Sequence, residues 1–399
     1  MIIVVLVVFR LLVAYHLHST FFSTGDQSYD DIAEQLVHGH GFTMNGHPYV
    51  ANPPVYPLLV AASFEVLGHH WYAIAVLQTL ADCVSVLLLF ALGQRLMGFA
   101  AGLLAAAAFA VYPYLASQSA QLMDTSVFVC SLLAFLYFSL RAAQERSTRW
   151  GAAAGVAAGV GFLIRPTIAI VALLFPLLAA LVGADRRAIA RLTAAAAVAG
   201  IVAIAPWTVR NAVDFHTFVP GAAKAGINFW KGNSPYAAEY IAEGKSVDLL
   251  PERPGAPHAP RGLNAVQEDA WWRDRAFAWI RAHPGAWAHG LEIKLIAFWS
   301  WDLNPRTGGD AGTKQVFYTA TYGPLLLLGL IGAAVGWGMR RRSVLVIMSV
   351  VVAFTAVNVL TVGYTRLRAP LDPLLMLLAA GLVVDLAGLR VRARRMETT

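Results

Sequence analysis

Residues 71–94 read WYAIAVLQTLADCVSVLLLFALGQ, with Arg95 immediately after. A bilayer core takes about 20 apolar residues of helix, so this run is long enough to cross one. The single carboxylate inside it, Asp82, is costly in lipid and is expected to face the bundle interior, either paired with an arginine or lining a lipid groove. The same pattern recurs along the chain, which has 399 residues, 58% of them hydrophobic and 13% charged, with a mean hydropathy of +0.59. That balance is far above what a soluble domain of this length keeps in solution. The fold class is therefore an all-α polytopic membrane protein.

Outward from 71–94, the runs expected to span are 2–16, 99–115, 122–141, 150–164, 167–183, 192–208, 317–338, 343–362 and 370–389. Together they predict a bundle of about ten or more transmembrane helices. Arginine placement orients it. Arg95, then Arg141, Arg146 and Arg149, then Arg186, Arg187 and Arg191, then Arg340 to Arg342, then Arg390 to Arg395 all fall on one side if the N-terminus is cytoplasmic and every run is crossed. Both termini are then expected inside, in a cell membrane. The opening run from Met1 to Ala14 lacks a basic leader and a small-residue cleavage site, so it is read as a retained first span.

The formal net charge of +7 does not point to nucleic acid, because the excess is arginine in short gaps between apolar runs, where it sets topology. Cys83 and Cys130 both fall inside apolar runs and read as small core residues, without a disulfide framework or metal spacing.

Two long loops then face outward. The first, 17–70, holds a short apolar stretch, Val55 to Leu67, that follows Pro53-Pro54 and is expected to lie along the membrane surface. The second, 209–316, turns through Pro251, Pro254, Pro257 and Pro260, resumes a helical pattern at Ala265 to Ala282, and adds an amphipathic piece from Trp287 to Trp301. The expected units are 1–208, a seven-span catalytic module containing the first loop; 209–316, the large outer loop; and 317–399, a three-span segment. No internal repeat or matching pair of broken helices appears, which is the usual mark of a secondary transporter.

Asp26 heads Gly25-Asp26-Gln27-Ser28-Tyr29-Asp30-Asp31-Ile32-Ala33 in the first outer loop. A carboxylate just outside the bilayer can act as a base on a substrate at the membrane surface. It can equally cap the helix that Asp30 and Asp31 begin, where acidic residues suit the helix dipole. Asp124 opens the fourth run on the same side, so the two carboxylates can share a site; the alternative is that Asp124 caps its own helix. Four arginines, Arg165, Arg210, Arg366 and Arg368, sit at the outer face against the positive-inside bias. Holding a lipid-linked phosphate is a reason for them to be there, and snorkelling to headgroups is the competing one. The loop histidines His38, His40, His47, His69 and His70 raise a metal site, but His38-Gly39-His40 matches no strong ligand spacing.

These residues occur in an order that resembles the GT-C glycosyltransferases, in the branch of protein mannosyltransferases and lipid A aminoarabinose transferases that use polyprenyl-phosphate sugars. The resemblance rests on Asp26 with Tyr29 and Ala33, Gly39 to Phe42, Pro53-Pro54-Val55-Tyr56-Pro57, Asp124, Arg165-Pro166, Pro206-Trp207 with Arg210-Asn211, Gly226 with Asn228-Phe229-Trp230-Lys231-Gly232-Asn233, His283-Pro284-Gly285, and Arg366 to Pro370. It implies a GT-C bundle with two long extracytoplasmic loops. It further implies Asp26 as catalytic acid/base and Asp124 as a second essential carboxylate. Arg165, Arg210, Arg366 and Arg368 would hold the donor phosphate, and Tyr29, Asn211, Asn228, Trp230 and Lys231 would line the substrate site. One departure is Asn52, where relatives acting on lipid A carry a lysine before the paired prolines.

The function expected is transfer of a sugar from a polyprenyl-phosphate donor to a hydroxyl of a glycan, lipid or protein at the outer face. Partners are that donor, that acceptor and the bilayer, without nucleic acid. No cofactor is required, and a divalent metal is left open. A transporter or flippase of the same lipids is the rival from another class. A non-catalytic scaffold would make Asp26 and Asp124 coincidental.

Overall fold

The structure, a computed structural model, describes residues 1–23, 25–303 and 311–397. Helix α1 (Ile2–His16) leads into the first loop, which folds as α2 (Ser28–Val37), a two-stranded hairpin of β1 (Thr43–Met44) and β2 (His47–Pro48), and α3 (Val55–Leu67). The hairpin turns at Asn45-Gly46, both with positive φ, as the tight primed turn requires. Next come α4 (Trp71–Leu96), α5 (Phe99–Ala110), α6 (Pro113–Gln118), α7 (Thr125–Glu145), α8 (Thr148–Phe162), α9 (Ile168–Ala172), α10 (Phe175–Leu181) and α11 (Arg186–Phe215). The second loop carries α12 (Ala225–Gly232), α13 (Ala237–Ala242), α14 (Ala265–Ala282) and α15 (Pro284–Phe298). The chain closes with α16 (Ala311–Met339), α17 (Arg341–Thr361), the short α18 (Thr365–Arg368) and α19 (Asp372–Glu397).

Among the described residues, six segments are helical, long and apolar enough to cross a membrane: 71–96, 125–145, 186–215, 314–339, 341–361 and 365–388. Every expected run falls on helix, but two are interrupted. In 167–183 the helix stops after Ala172 and restarts at Phe175, with Pro176 at its start; proline has no N–H to continue the ladder. In 99–115 the helix ends at Ala110, and Pro113 opens α6.

Two devices hold the bundle together. The first is a buried ion pair: Arg10 Nε on α1 donates to Asp82 Oδ2 on α4 at 2.6 Å, and its Nη2 and Nη1 donate to the Phe109 and Tyr112 carbonyls, at 3.2 and 3.4 Å, at the end of α5. Asp82 is thus an interior, arginine-paired carboxylate, the arrangement that lets a charge persist in an apolar span. The second is a seam of small residues: Gly151, Gly155 and Gly159 on α8 face Leu192, Ala196 and Gly200 on α11, and a Cβ on Gly155 would lie 2.0 Å from the Ala196 carbonyl. Without a hydrophobic drive between helices in lipid, such close backbone approach is what gives packing energy.

Of the arginines expected to share one side, Arg95, Arg141, Arg146 and Arg340 lie at one end of the bundle. Arg95 donates to Gln144 and Glu145, Arg141 pairs with Glu145, Arg146 with Asp185, and Arg340 with Asp385 beside Met97. The long loops form the other end. There the first loop packs Phe21, Tyr29, Tyr56 and Phe64 against Ile74 and Leu122, and the second packs Trp230, Val247, Leu250 and Trp272 against Tyr364.

Candidate active site

Asp26 is placed by backbone. Gly25 forms an isolated parallel bridge with Leu122, and the Asp26 amide donates to the Leu122 carbonyl at 3.3 Å, so the first loop is fastened to the segment that starts α7. Gly25 has φ +112, and a Cβ there would lie 2.3 Å from the Leu122 oxygen, so only glycine fits. The Asp26 carboxylate then divides its labour. Oδ1 accepts from the Ser28 amide at 3.1 Å and from the Ser28 hydroxyl at 2.5 Å, a local turn one residue ahead of the α2 N-cap, while Oδ2 accepts from Lys224 Nζ at 3.1 Å. Gln27 holds the N-cap position and α2 has no side-chain cap.

Lys224 was not singled out by the sequence reading. It also donates to Asn52 Oδ1 at 3.1 Å, and Asn52 Nδ2 donates back to the Ser28 hydroxyl at 2.5 Å, closing a ring Asp26–Lys224–Asn52–Ser28. Backbone pins the lysine on both sides. The Ala223 amide donates to the Val50 carbonyl at 2.8 Å, and the Gly226 and Ile227 amides, at the start of α12, donate to Asp269 Oδ1 on α14. Burial pushes the Asp26 carboxyl up, but the Lys224 ammonium and the Ser28 hydrogen bonds outweigh it and leave it below its ordinary range.

Beside this ring, Asp124 is held by Arg165 through both carboxylate oxygens, Nε reaching Oδ2 at 3.2 Å and Nη2 reaching Oδ1, with the guanidinium over the Phe128 ring. Asp124 makes no side-chain cap on α7, so the capping alternative is not the one the geometry uses. Arg165 Nη1 is buried without a hydrogen-bond partner among the described residues. Tyr29 stands between the two carboxylates: burial raises its phenol well above its ordinary value, and Asp124 and Asp26 raise it further, so it remains an O–H donor.

The remaining expected residues divide. Arg210 donates to the Tyr49 and Phe42 carbonyls at 2.8 and 2.9 Å and pairs with Asp214, so it clasps the first-loop hairpin. Asn211 is fully buried and donates to the Val219 and Gly221 carbonyls. Trp230 packs on Trp272, with ring centroids 4.5 Å apart, and Lys231 pairs with Asp248 at 2.9 Å. Asn228 is half-buried on α12. Arg368 is sealed: it pairs with Asp372 at 3.1 Å, donates to the Tyr318 hydroxyl at 3.0 Å and lies 3.4 Å over the Tyr322 ring. A guanidinium so placed is a structural cation, which corrects the expectation that Arg366 and Arg368 act alike. Arg366 is half-buried and close enough to Asp248 to help hold that carboxyl low, although burial opposes it and Lys231 contributes more.

Among the described residues no three His, Cys, Asp or Glu side chains converge as a metal site. His69 instead meets Asp30 at 2.8 Å. The arrangement offers a carboxylate whose cationic partner is flexible, next to a carboxylate whose partner is locked.

The fold compares with solved structures. The chain aligns with the apo oligosaccharyltransferase of Archaeoglobus fulgidus over 99% of its own length and 52% of that protein's, at 15% identity and a TM-score of 0.59. It aligns with the archaeal oligosaccharyltransferase AglB of the same organism, in complex with an inhibitory peptide and a dolichol-phosphate, over 99% and 51%, at 12% identity and 0.56. ArnT from Cupriavidus metallidurans bound to undecaprenyl phosphate aligns over 95% and 77%, at 15% identity and 0.48. The chain spans about half the length of the archaeal enzymes. No curated protein matches it. By fold, this is a polytopic helical membrane protein similar to the archaeal oligosaccharyltransferase. Residues 51–209 match the family described as dolichyl-phosphate-mannose-protein mannosyltransferase.

Proposed function

We propose that the protein is an integral membrane glycosyltransferase that moves a sugar from a polyprenyl-phosphate donor to a hydroxyl of a glycan, lipid or protein acceptor. The observation that carries this reading is Asp26, fixed to the mouth of the bundle by the Gly25–Leu122 bridge, with one carboxylate oxygen on Ser28 and the other on Lys224. The family match over 51–209 and the fold shared with AglB, whose structure holds a dolichol-phosphate, support a lipid-linked donor.

In this reading Asp26 takes the acceptor proton, Asp124 holds Arg165 in place, and Arg165, Lys224 and Arg366 face the departing phosphate. Lipid phosphate is already a competent leaving group, so no cofactor is required of the protein. The site lies outside the cell membrane and both termini lie inside, supported by the arginine cluster at the opposite end of the bundle. The test is transfer from a synthetic polyprenyl-phosphate sugar to extracted envelope acceptors by purified protein in nanodiscs. Activity in the wild type and its loss in Asp26→Asn is the expected result; absence of transfer in the wild type with every such donor tried overturns it.

A further inference from the structure

The ring around Asp26 sets a cation against the oxygen that would act as base. Oδ1 holds Ser28 and Oδ2 holds Lys224, so an incoming hydroxyl reaches Oδ2 only beside an ammonium that opposes protonation of the carboxylate. Of these partners only Lys224 can leave without unfolding anything. The Ser28 contacts belong to the first turn of α2, whereas the lysine meets Asp26 through a flexible four-carbon stem on a fixed backbone, with about a third of each side chain exposed (32% and 36%). At that exposure the pair is screened by water and weak. A phosphate diester arriving at the mouth offers the same ammonium a competing anion.

Resting on the function proposed above, we propose that Lys224 is a latch: without donor its ammonium damps the basicity of Asp26, and the donor phosphate draws it away, so donor binding readies Asp26 to accept the acceptor proton. In the step that follows, the acceptor O–H proton passes to Asp26 Oδ2 and the acceptor oxygen bonds to the anomeric carbon. The bond from that carbon to the phosphate oxygen breaks, and its electron pair leaves with the phosphate, which goes from one negative charge to two. Lys224 then faces the added charge. Water that enters an empty site meets a damped base, which limits the site's basicity until donor is present.

Among the described residues the charged and titratable groups around Asp26 are Lys224 from the loop before α12, Tyr29 on α2, the Asp124–Arg165 pair, and Tyr49 after the hairpin, whose phenol is raised to about 12 chiefly by burial and further by Asp26 and Asp31. Lys224 is the closest cation, so removing it must release Asp26.

The test measures affinity for a short-chain polyprenyl phosphate in nanodiscs. The latch predicts shifts of opposite sign: Lys224→Met weakens binding about tenfold through loss of a charge-assisted contact, whereas Asp26→Asn tightens it, because the ammonium no longer has a carboxylate to leave. A lysine with only a structural role would give weaker or unchanged binding in both. Two further readouts bear on the same point. Lys224→Met should move the acid limb of the transfer rate to higher pH, and adding Asn52→Lys to it should restore binding, since the Lys224 Nζ already lies beside the Asn52 side chain. Unchanged affinity in Lys224→Met, or unchanged or weakened affinity in Asp26→Asn, overturns the latch, and the Asp26→Asn result decides alone if Lys224→Met folds poorly. If the wild type transfers sugar while the latch signature is absent, the latch falls and the enzyme stands. If the wild type neither binds the lipid phosphate nor transfers, the function itself falls.

Discussion

Two acid–base pairs at the loop end of the bundle differ in how far water reaches them. Asp26 meets Lys224 across 198 positions of chain with about a third of each side chain in solvent, while Arg368 meets Asp372 one helical turn away with neither side chain exposed. Water decides what each pair can do. The open pair is held weakly and can exchange partners, as the proposed latch requires. The sealed pair has no solvent to replace a lost partner, so it is permanent, and its removal is felt as instability rather than as altered chemistry.

The sharpest way to break this contrast is Arg368→Ala, which strands the Asp372 carboxylate inside the bundle. It is expected to cost about 3–5 kcal/mol, read as a lower unfolding temperature in detergent and a smaller monodisperse fraction. The double variant Arg368→Met with Asp372→Asn should recover most of that loss. If Arg368→Ala instead folds normally and only donor use drops, the pair is not structural. Asp26→Asn should do the reverse: folding stays near wild type, because the asparagine oxygen can still accept from the Ser28 amide, and transfer falls by at least about a hundredfold. Normal transfer by this variant would leave Asp26 a turn residue alone.

A smaller effect separates the two arginines of α18. Arg366→Ala should lower donor use about tenfold with unchanged stability, measured as KM for the polyprenyl-phosphate sugar; an unchanged KM would leave it as a headgroup anchor. The smallest effect expected is from chelation. EDTA should leave the rate within about twofold, since the leaving group needs no Lewis acid, and a loss of activity restored by magnesium or manganese would show that a metal works beside the open pair.

The sequence showed where helices lie better than what their ends touch. Expected pieces at Val55 to Leu67 and Ala265 to Ala282 are helices with those same bounds, because local chemistry sets them: Pro53-Pro54 before the one and a capping box of Asn264 with Gln267 before the other. The break in 167–183 was hidden because Leu173-Leu174 keep the run apolar through the turn, although Pro176 was there to be read. Asp26 and Asp124 were legible as residue types on one side of the membrane. Their partners were less so, since Lys224 and Arg165 come from distant elements that hydropathy cannot pair. One clue was overlooked: all five lysines, 224, 231, 245, 294 and 314, lie in or next to the second outer loop, while the expected cytoplasmic gaps use arginine alone. Lysine on the outer side runs against the orientation bias and asks for an anionic partner. Lys231 has Asp248, and Lys294 is caged by the Gly232 and Thr361 carbonyls and Asn233 Oδ1.

The bridge between Gly25 and Leu122 bears on how this protein can be re-engineered. Loop exchange between proteins of one fold is a natural way to move a site, and the first loop looks like a free-standing cassette between α1 and α4. It is not one, because its key residue takes its position from a backbone oxygen on the far side of α4 and α5. A graft of residues 17–70 alone would carry Asp26 without the partner that aims it. A transplant that keeps its aim has to bring along the stretch around Leu122, so the smallest exchangeable unit is a discontinuous one.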